Sequence, residues 1–201
     1  MFWINASEAR LMKLVPFILC LMLIGCKTQQ RILPLHTSDH PDGAYLKDLD
    51  NVLPFWTGTW EGISGNQKIT LQIVPFNDHH FQTPYADHHQ DRIAAKFKIT
   101  DIGSNQIIYT FLSASQYDDY PISIVPYLDS GLSCTFQDNA ARCYNTAEFI
   151  LTRIPGEQNQ IKYTKFSRRG YDSYEGGCQY NDVLQIPMPL PTADLILYRQ
   201  P

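Results

Sequence analysis

The chain has 201 residues, 44% hydrophobic, 18% charged and 12% aromatic, with a formal net charge of -4. That is enough for one domain that buries a core without metal or disulfide staples. With 11 Gly and 13 Pro it is neither collagen-like nor low-complexity, and the lack of any basic run argues against a nucleic-acid partner.

The N-terminus reads as an export signal. Lys13, helped by Arg10, is a positive opening, and Leu14 to Ile24 is an apolar run too short to cross a bilayer. Met12-Lys13 is the more natural start, which makes Met1 to Arg10 an upstream extension. Leu23-Ile24-Gly25-Cys26 closes the run and resembles the bacterial lipobox, with polar Lys27-Thr28-Gln29-Gln30 directly after it. The resemblance implies cleavage before Cys26, with diacylglycerol and N-acyl chains on that residue holding the protein on a membrane. One acyl chain anchors marginally, whereas two or three anchor firmly. Lys27 in place of Asp implies the outer membrane, and the missing acidic run after Cys26 implies its periplasmic face. The expected organisation is a signal peptide over 1–25, a tether over 26–44 and one β domain over 45–201.

After the tether, Tyr45, Leu46, Leu49, Val52 and Leu53 recur at helical spacing, which predicts a short helix ending at Pro54. Strand patterns follow. Lys68 to Ile73 alternates strictly, with Ile69, Leu71 and Ile73 on one face, and is reached through the Ser64-Gly65-Asn66 turn. Further strands are predicted over 92–100, 106–113, 122–127, 132–136, 147–153, 160–167 and 193–199. Arg168 to Gln179 is the one long irregular stretch. The class is mainly β: an antiparallel barrel with a short N-terminal helix, or else an open β-sandwich.

Gly58-Thr59-Trp60 opens the first of these strands and Arg199 closes the last. In a closed barrel with an even number of strands those ends meet, so Arg199 would lie across the Trp60 ring. This resembles the calycin arrangement. A narrower resemblance spans Leu49 to Ile73, with Gly58-Thr59-Trp60 and Ser64-Gly65-Asn66, and the ending Leu184-Gln185-Ile186-Pro187 then Asp194 to Leu197. These segments are similar to an uncharacterised family of small Bacteroidota lipoproteins. The middle, Pro121 to Gln179, departs from that pattern. The resemblance implies an anchor and a fold and carries no activity.

Cys134, Cys143 and Cys178 remain after processing. Two short strands around Asp138-Asn139 predict a Cys134–Cys143 disulfide; the alternatives pair Cys178 with one of them. No Cys-x-x-Cys, Gly-x-Ser-x-Gly or phosphate loop occurs, and Asp118-Asp119 reads as a turn, so no enzyme and no cofactor are expected. Asp78-His79-His80 and Asp87-His88-His89 could offer Zn, Cu or Ni ligands, but adjacent strand residues point oppositely, and a solvated polar loop is the expectation. Tyr117, Tyr120, Tyr127, Tyr171, Tyr174 and Tyr180 are recognition-type side chains or edge aromatics. Three readings follow. The first is a lipid-anchored, non-catalytic envelope protein binding a small apolar ligand or an envelope protein. The second is an outer-membrane interaction module using the Tyr-rich loops. The third is a periplasmic metal-binding protein.

Overall fold

The computed structural model describes residues 30–126, 131–138, 145–169, 180 and 185–201. Eleven strands form the fold: β1 Ile32–Pro34, β2 Ala44–Lys47, β3 Gly58–Ser64, β4 Gln67–Thr83, β5 Ala86–Asp101, β6 Ile107–Thr110, β7 Ile122–Pro126, β8 Gly131–Asp138, β9 Asn145–Arg153, β10 Gln160–Arg169 and β11 Leu195–Arg199.

From β3 to β6 and again from β7 to β11 each strand pairs antiparallel with the next, β7 also pairs with β5, and β11 returns to β3 through Tyr198↔Glu61 and Arg199↔Trp60. The result is a closed, calycin-like barrel of 8 strands. Its count treats β6 and β7 as one interrupted strand, because both pair with β5. Four steps along β5, from Ile99 to Ala95, correspond to thirteen along the partner, from Tyr109 to Ile122. Nine residues are therefore looped out between β6 and β7.

Alternation sends one face of every strand into the barrel. Ile69, Leu71 and Ile73 of β4, Ile93, Ala95, Phe97 and Ile99 of β5, Phe136 of β8, Phe149 of β9 and Tyr163 of β10 are buried together. Each large aliphatic or aromatic side chain so removed from water contributes roughly 1.5–3 kcal/mol. Leu53 and Trp56 join this core from the upper end, and Leu190 from the lower. At that lower end Tyr163 donates to Pro191 O at 2.7 Å and Asn145 Nδ2 to Pro187 O at 2.9 Å. Among the described residues these side chains form one core cluster.

The seam between β3 and β11 is held from the upper end. The Arg199 guanidinium carbon sits 4.1 Å from the Trp60 ring centroid and 5.7 Å from that of Phe55. Nη1 donates to Thr57 O at 2.7 Å, and Nη2 donates to Phe55 O. Trp60 Nε1 donates to Trp56 O at 2.8 Å. Arg153, 4.0 Å from the Phe55 centroid, clamps the same segment from β9.

The expected helix over 45–54 does not form, and no α-helix occurs among the described residues. Tyr45 and Leu46 lie in a strand, parallel to His89 and Gln90 of β5. The Asp48 carboxylate then accepts from Val52 N at 2.9 Å and Leu53 N at 2.8 Å, reversing the chain through Asn51 at φ 53°. Leu49 is 56% exposed, so the apparent helical stripe is not one face. The expected tether is shorter too: β1 falls inside 26–44 and β2 begins at Ala44, so strand structure starts at Ile32. The Asp-His-His units are strand rather than loop, since β4 runs 17 residues and β5 runs 16. β3 pairs with β4 only as far as Ile73. Beyond it the β4–β5 hairpin projects past the barrel, joined by β2 on β5 and β1 on β2.

Gly62 faces β11 so closely that a Cβ there would lie 2.6 Å from Leu195 Cδ1 and 2.8 Å from Ile196 O. Gly62→Ala therefore costs about 1–3 kcal/mol by overpacking, read as a lower urea midpoint at unchanged slope. Arg199→Ala costs roughly 2–4 kcal/mol from the lost ring contact and two stranded carbonyls. Arg199→Lys recovers less than half of that, because an ammonium cannot stack and fork at once.

Candidate functional site

The projecting hairpin carries the histidines, and its pleat sorts them. His80 is directly opposite His89, and Phe81 opposite His88. His80 and His89 stack at 4.7 Å between ring centroids on the face continuous with the barrel interior. Asp87 Oδ1 is 2.7 Å from His80 Nε2, and Asp78 Oδ1 is 2.9 Å from His89 Nδ1. His79 and His88 occupy the outer face. His79 lies 4.3 Å from the Tyr117 ring, and His88 lies 4.5 Å from His40, a residue outside both Asp-His-His units. Sequence separation hid His40: β2 is parallel to β5, so the turn before β2 folds back over His88. Among the described residues no three His, Cys, Asp or Glu side chains are grouped to hold a metal ion.

Asp91 organises the junction between hairpin and barrel. It is 7% exposed and accepts three hydrogen bonds: Tyr45 OH at 2.5 Å, Asp48 N at 2.9 Å and Asp78 N at 3.1 Å. One carboxylate thus ties β2, the reversal after it and the bulge in β4, where Asp78 sits at φ 56°. Burial, and after it the bond to Asp91, push the Tyr45 hydroxyl up to about 12, so it remains a donor. Beside this junction is a cavity of about 400 Å³, within the range of ligand pockets. Its polar lining includes Lys47, Asn51 and Asn77; Leu53, Pro54 and Pro75 supply apolar wall. The amide groups of Asn51 and Asn77 spend no hydrogen bond within the described residues.

The remaining predicted residues have structural places. Trp60 and Arg199 meet as expected and close the barrel. Cys134 is a free, fully buried thiol opposite Phe149, so the predicted bridge to Cys143 is absent at its Cys134 end. Alternation turns Cys134 into the core, between Leu132 and Phe136, four residue pairs from the end of its hairpin. Cys143, Cys178 and the lipidation residue Cys26 lie outside the described residues, as do Tyr127, Tyr171 and Tyr174. Tyr117 and Tyr120, in the looped-out segment, pack edge-on against Phe76 at 5.3 and 5.2 Å. Arg92 Nη1 donates to Tyr117 OH at 2.9 Å. These two tyrosines cover the outer face of the β4–β5 sheet.

Compared with protein-family models, with curated proteins and with solved structures, the chain matches none.

His88 carries a pH dependence. Burial first, then the neighbouring His40 and Arg92, hold its pKa below the usual histidine range, with a hydrogen bond to Gln90 and then the Asp87 charge opposing. The unfolded chain therefore binds the proton more readily. The stabilising contribution is complete above about pH 6.5 and declines as pH falls below it towards the folded pKa. Amide exchange in 44–46 and 88–90, corrected for intrinsic rates, should accelerate from pH 7 to pH 5. His88→Leu should remove most of that acceleration.

Proposed function

We propose that this is a non-catalytic binding protein of the bacterial envelope, held by lipid on Cys26 at the periplasmic face of the outer membrane. It takes a small polar ligand at the upper rim of the barrel. One observation carries the binding reading: a cavity of about 400 Å³ opens where hairpin and barrel meet, lined by polar side chains that are not part of the core cluster. The rim offers the free amides of Asn51 and Asn77, the Lys47 ammonium and a proline-walled floor. Asp91 and Asp48 support it from behind, with their oxygens committed to the chain's own donors. The site is thus preorganised, which lowers the ordering cost of binding.

A protein partner is the second reading. Ile63, Ile102, Ile107 and Ile108 are 63, 46, 59 and 44% exposed around the two turns of the lower end, where Asn66 Nδ2 bonds Asp101 Oδ2 at 2.7 Å. Exposed apolar groups gathered at one end suit an interface.

Thermal unfolding of the processed chain against a panel of saccharides, amino acids and nucleosides tests the rim. A ligand present at a hundred times its Kd should raise Tm by about 5–10 °C. Asn77→Trp, which fills the cavity from an exposed position, should abolish the shift. An equal shift in both proteins places the ligand elsewhere.

A further inference from the structure

We infer that the tip of the β4–β5 hairpin, Gln82 to Ala86, docks in the membrane interface beside the lipid anchor, so that the barrel stands with its lower end away from the bilayer. The inference rests on the lipid-anchor reading of Cys26 and adds an orientation and a contact to it.

The route of the chain carries the argument. β1 is parallel to β2, and β2 to β5, with Ile32 opposite Tyr45 and Tyr45 opposite His89. One step back, Tyr45 N donates to Arg31 O at 2.8 Å, and Gly43 N donates to Asp87 O at 2.7 Å. Followed backwards, β1 therefore heads towards the hairpin tip, and Gln30 lies level with Asp87. Two strand spacings separate β1 from β5, about 10 Å. Four further residues reach Cys26, at most about 14 Å of extended chain. A lipid on Cys26 thus holds the bilayer surface within one short tether of Tyr85. The lower turn at Asp101, fifteen residues down β5, is about 50 Å from the tip.

The tip has the chemistry for that position. Gln82-Thr83-Pro84-Tyr85-Ala86 carries no charge, although both flanks are rich in Asp and His. Little is lost by moving such a segment into the headgroup layer. Tyr85 is 97% exposed, the most exposed large hydrophobic side chain among the described residues. An isolated aromatic in water is common, but tyrosine with its ring in the apolar layer and its hydroxyl in the polar one is the side chain of membrane interfaces. Asp87, the first acidic residue after the tip, has a partner in His80 Nε2 at 2.7 Å. Ile32, 54% exposed and level with His89, and Arg31 just before β1 lie between the tip and the barrel, where acyl chain and phosphate would meet them.

The test uses the full, lipidated chain in phosphatidylethanolamine–phosphatidylglycerol vesicles, with and without bromine on the acyl chains. The native indoles are a quiet background: Trp56 and Trp60 are 3% and 0% exposed, and Trp3 precedes the cleavage point. In Tyr85→Trp the added indole should blue-shift on vesicle binding and lose about half its emission to brominated lipid. Ile102→Trp, at the lower end, should bind the vesicles equally and show no bromine quenching. If the Tyr85→Trp chain floats with vesicles and is unquenched, the docked tip is wrong and the anchor reading survives. If the indole is unquenched by bromine but shielded from acrylamide in native outer membranes, the tip meets a protein instead. A chain that remains in solution overturns the anchor and the docked tip together.

Discussion

The guanidinium of Arg199 is the contact on which the architecture depends. A sheet closes into a barrel only if its first and last strands meet, and here that junction has two residue pairs, Tyr198↔Glu61 and Arg199↔Trp60. So short a ladder is weak alone. Arg199 reinforces it by covering the Trp60 ring and by donating to two carbonyls of the preceding segment, at Thr57 and Phe55. The same group therefore seals the seam and fastens the plug carrying Leu53 and Trp56 over the upper end of the core. A planar, permanently charged donor is suited to both tasks, because ring contact and forked hydrogen bonds use different parts of it.

Closing the barrel in this way leaves two strands with more length than it needs. β4 and β5 continue past Ile73 and Ala95 as a hairpin whose sides are no longer covered by barrel neighbours. β2 and β1 take one of those sides, and Asp91 fixes the junction by accepting from three separate segments. The looped-out segment between β6 and β7 covers the outer face with Tyr117 and Tyr120. The barrel thus has an upper rim extended by the hairpin and a lower end of short turns. That division places the polar cavity and the exposed tip at one end and the exposed isoleucines at the other.

Several features were legible in the amino-acid order, and the reason in each is local periodicity. Ile69, Leu71 and Ile73 alternate because β side chains do, and the alternation survives whichever strand lies alongside. Trp60 and Arg199 were legible as a pair because closure brings chain-distant ends together by a topological rule. The helix expected over 45–54 failed because the same spacing fits two successive structures, a strand at Tyr45–Leu46 and an Asp48-directed reversal. The Cys134 bridge failed because the turn that seemed to join two cysteines lies well beyond Cys134, whose strand carries it inward.

By itself the sequence determined the mainly β class, most of the strands and the residues that seal the barrel, since each follows from side-chain period or from the ends of the chain. It also set the lipobox resemblance at Cys26 and the opposed faces of each His-His pair. Only the tertiary structure decided which side chains meet in the core, that His40 covers His88, that Asp91 joins three segments, and that β1, followed backwards, heads towards the hairpin tip. Those outcomes depend on strand register and on a parallel return of the chain. Both are set by contacts between segments far apart in sequence, which no local pattern of residues records.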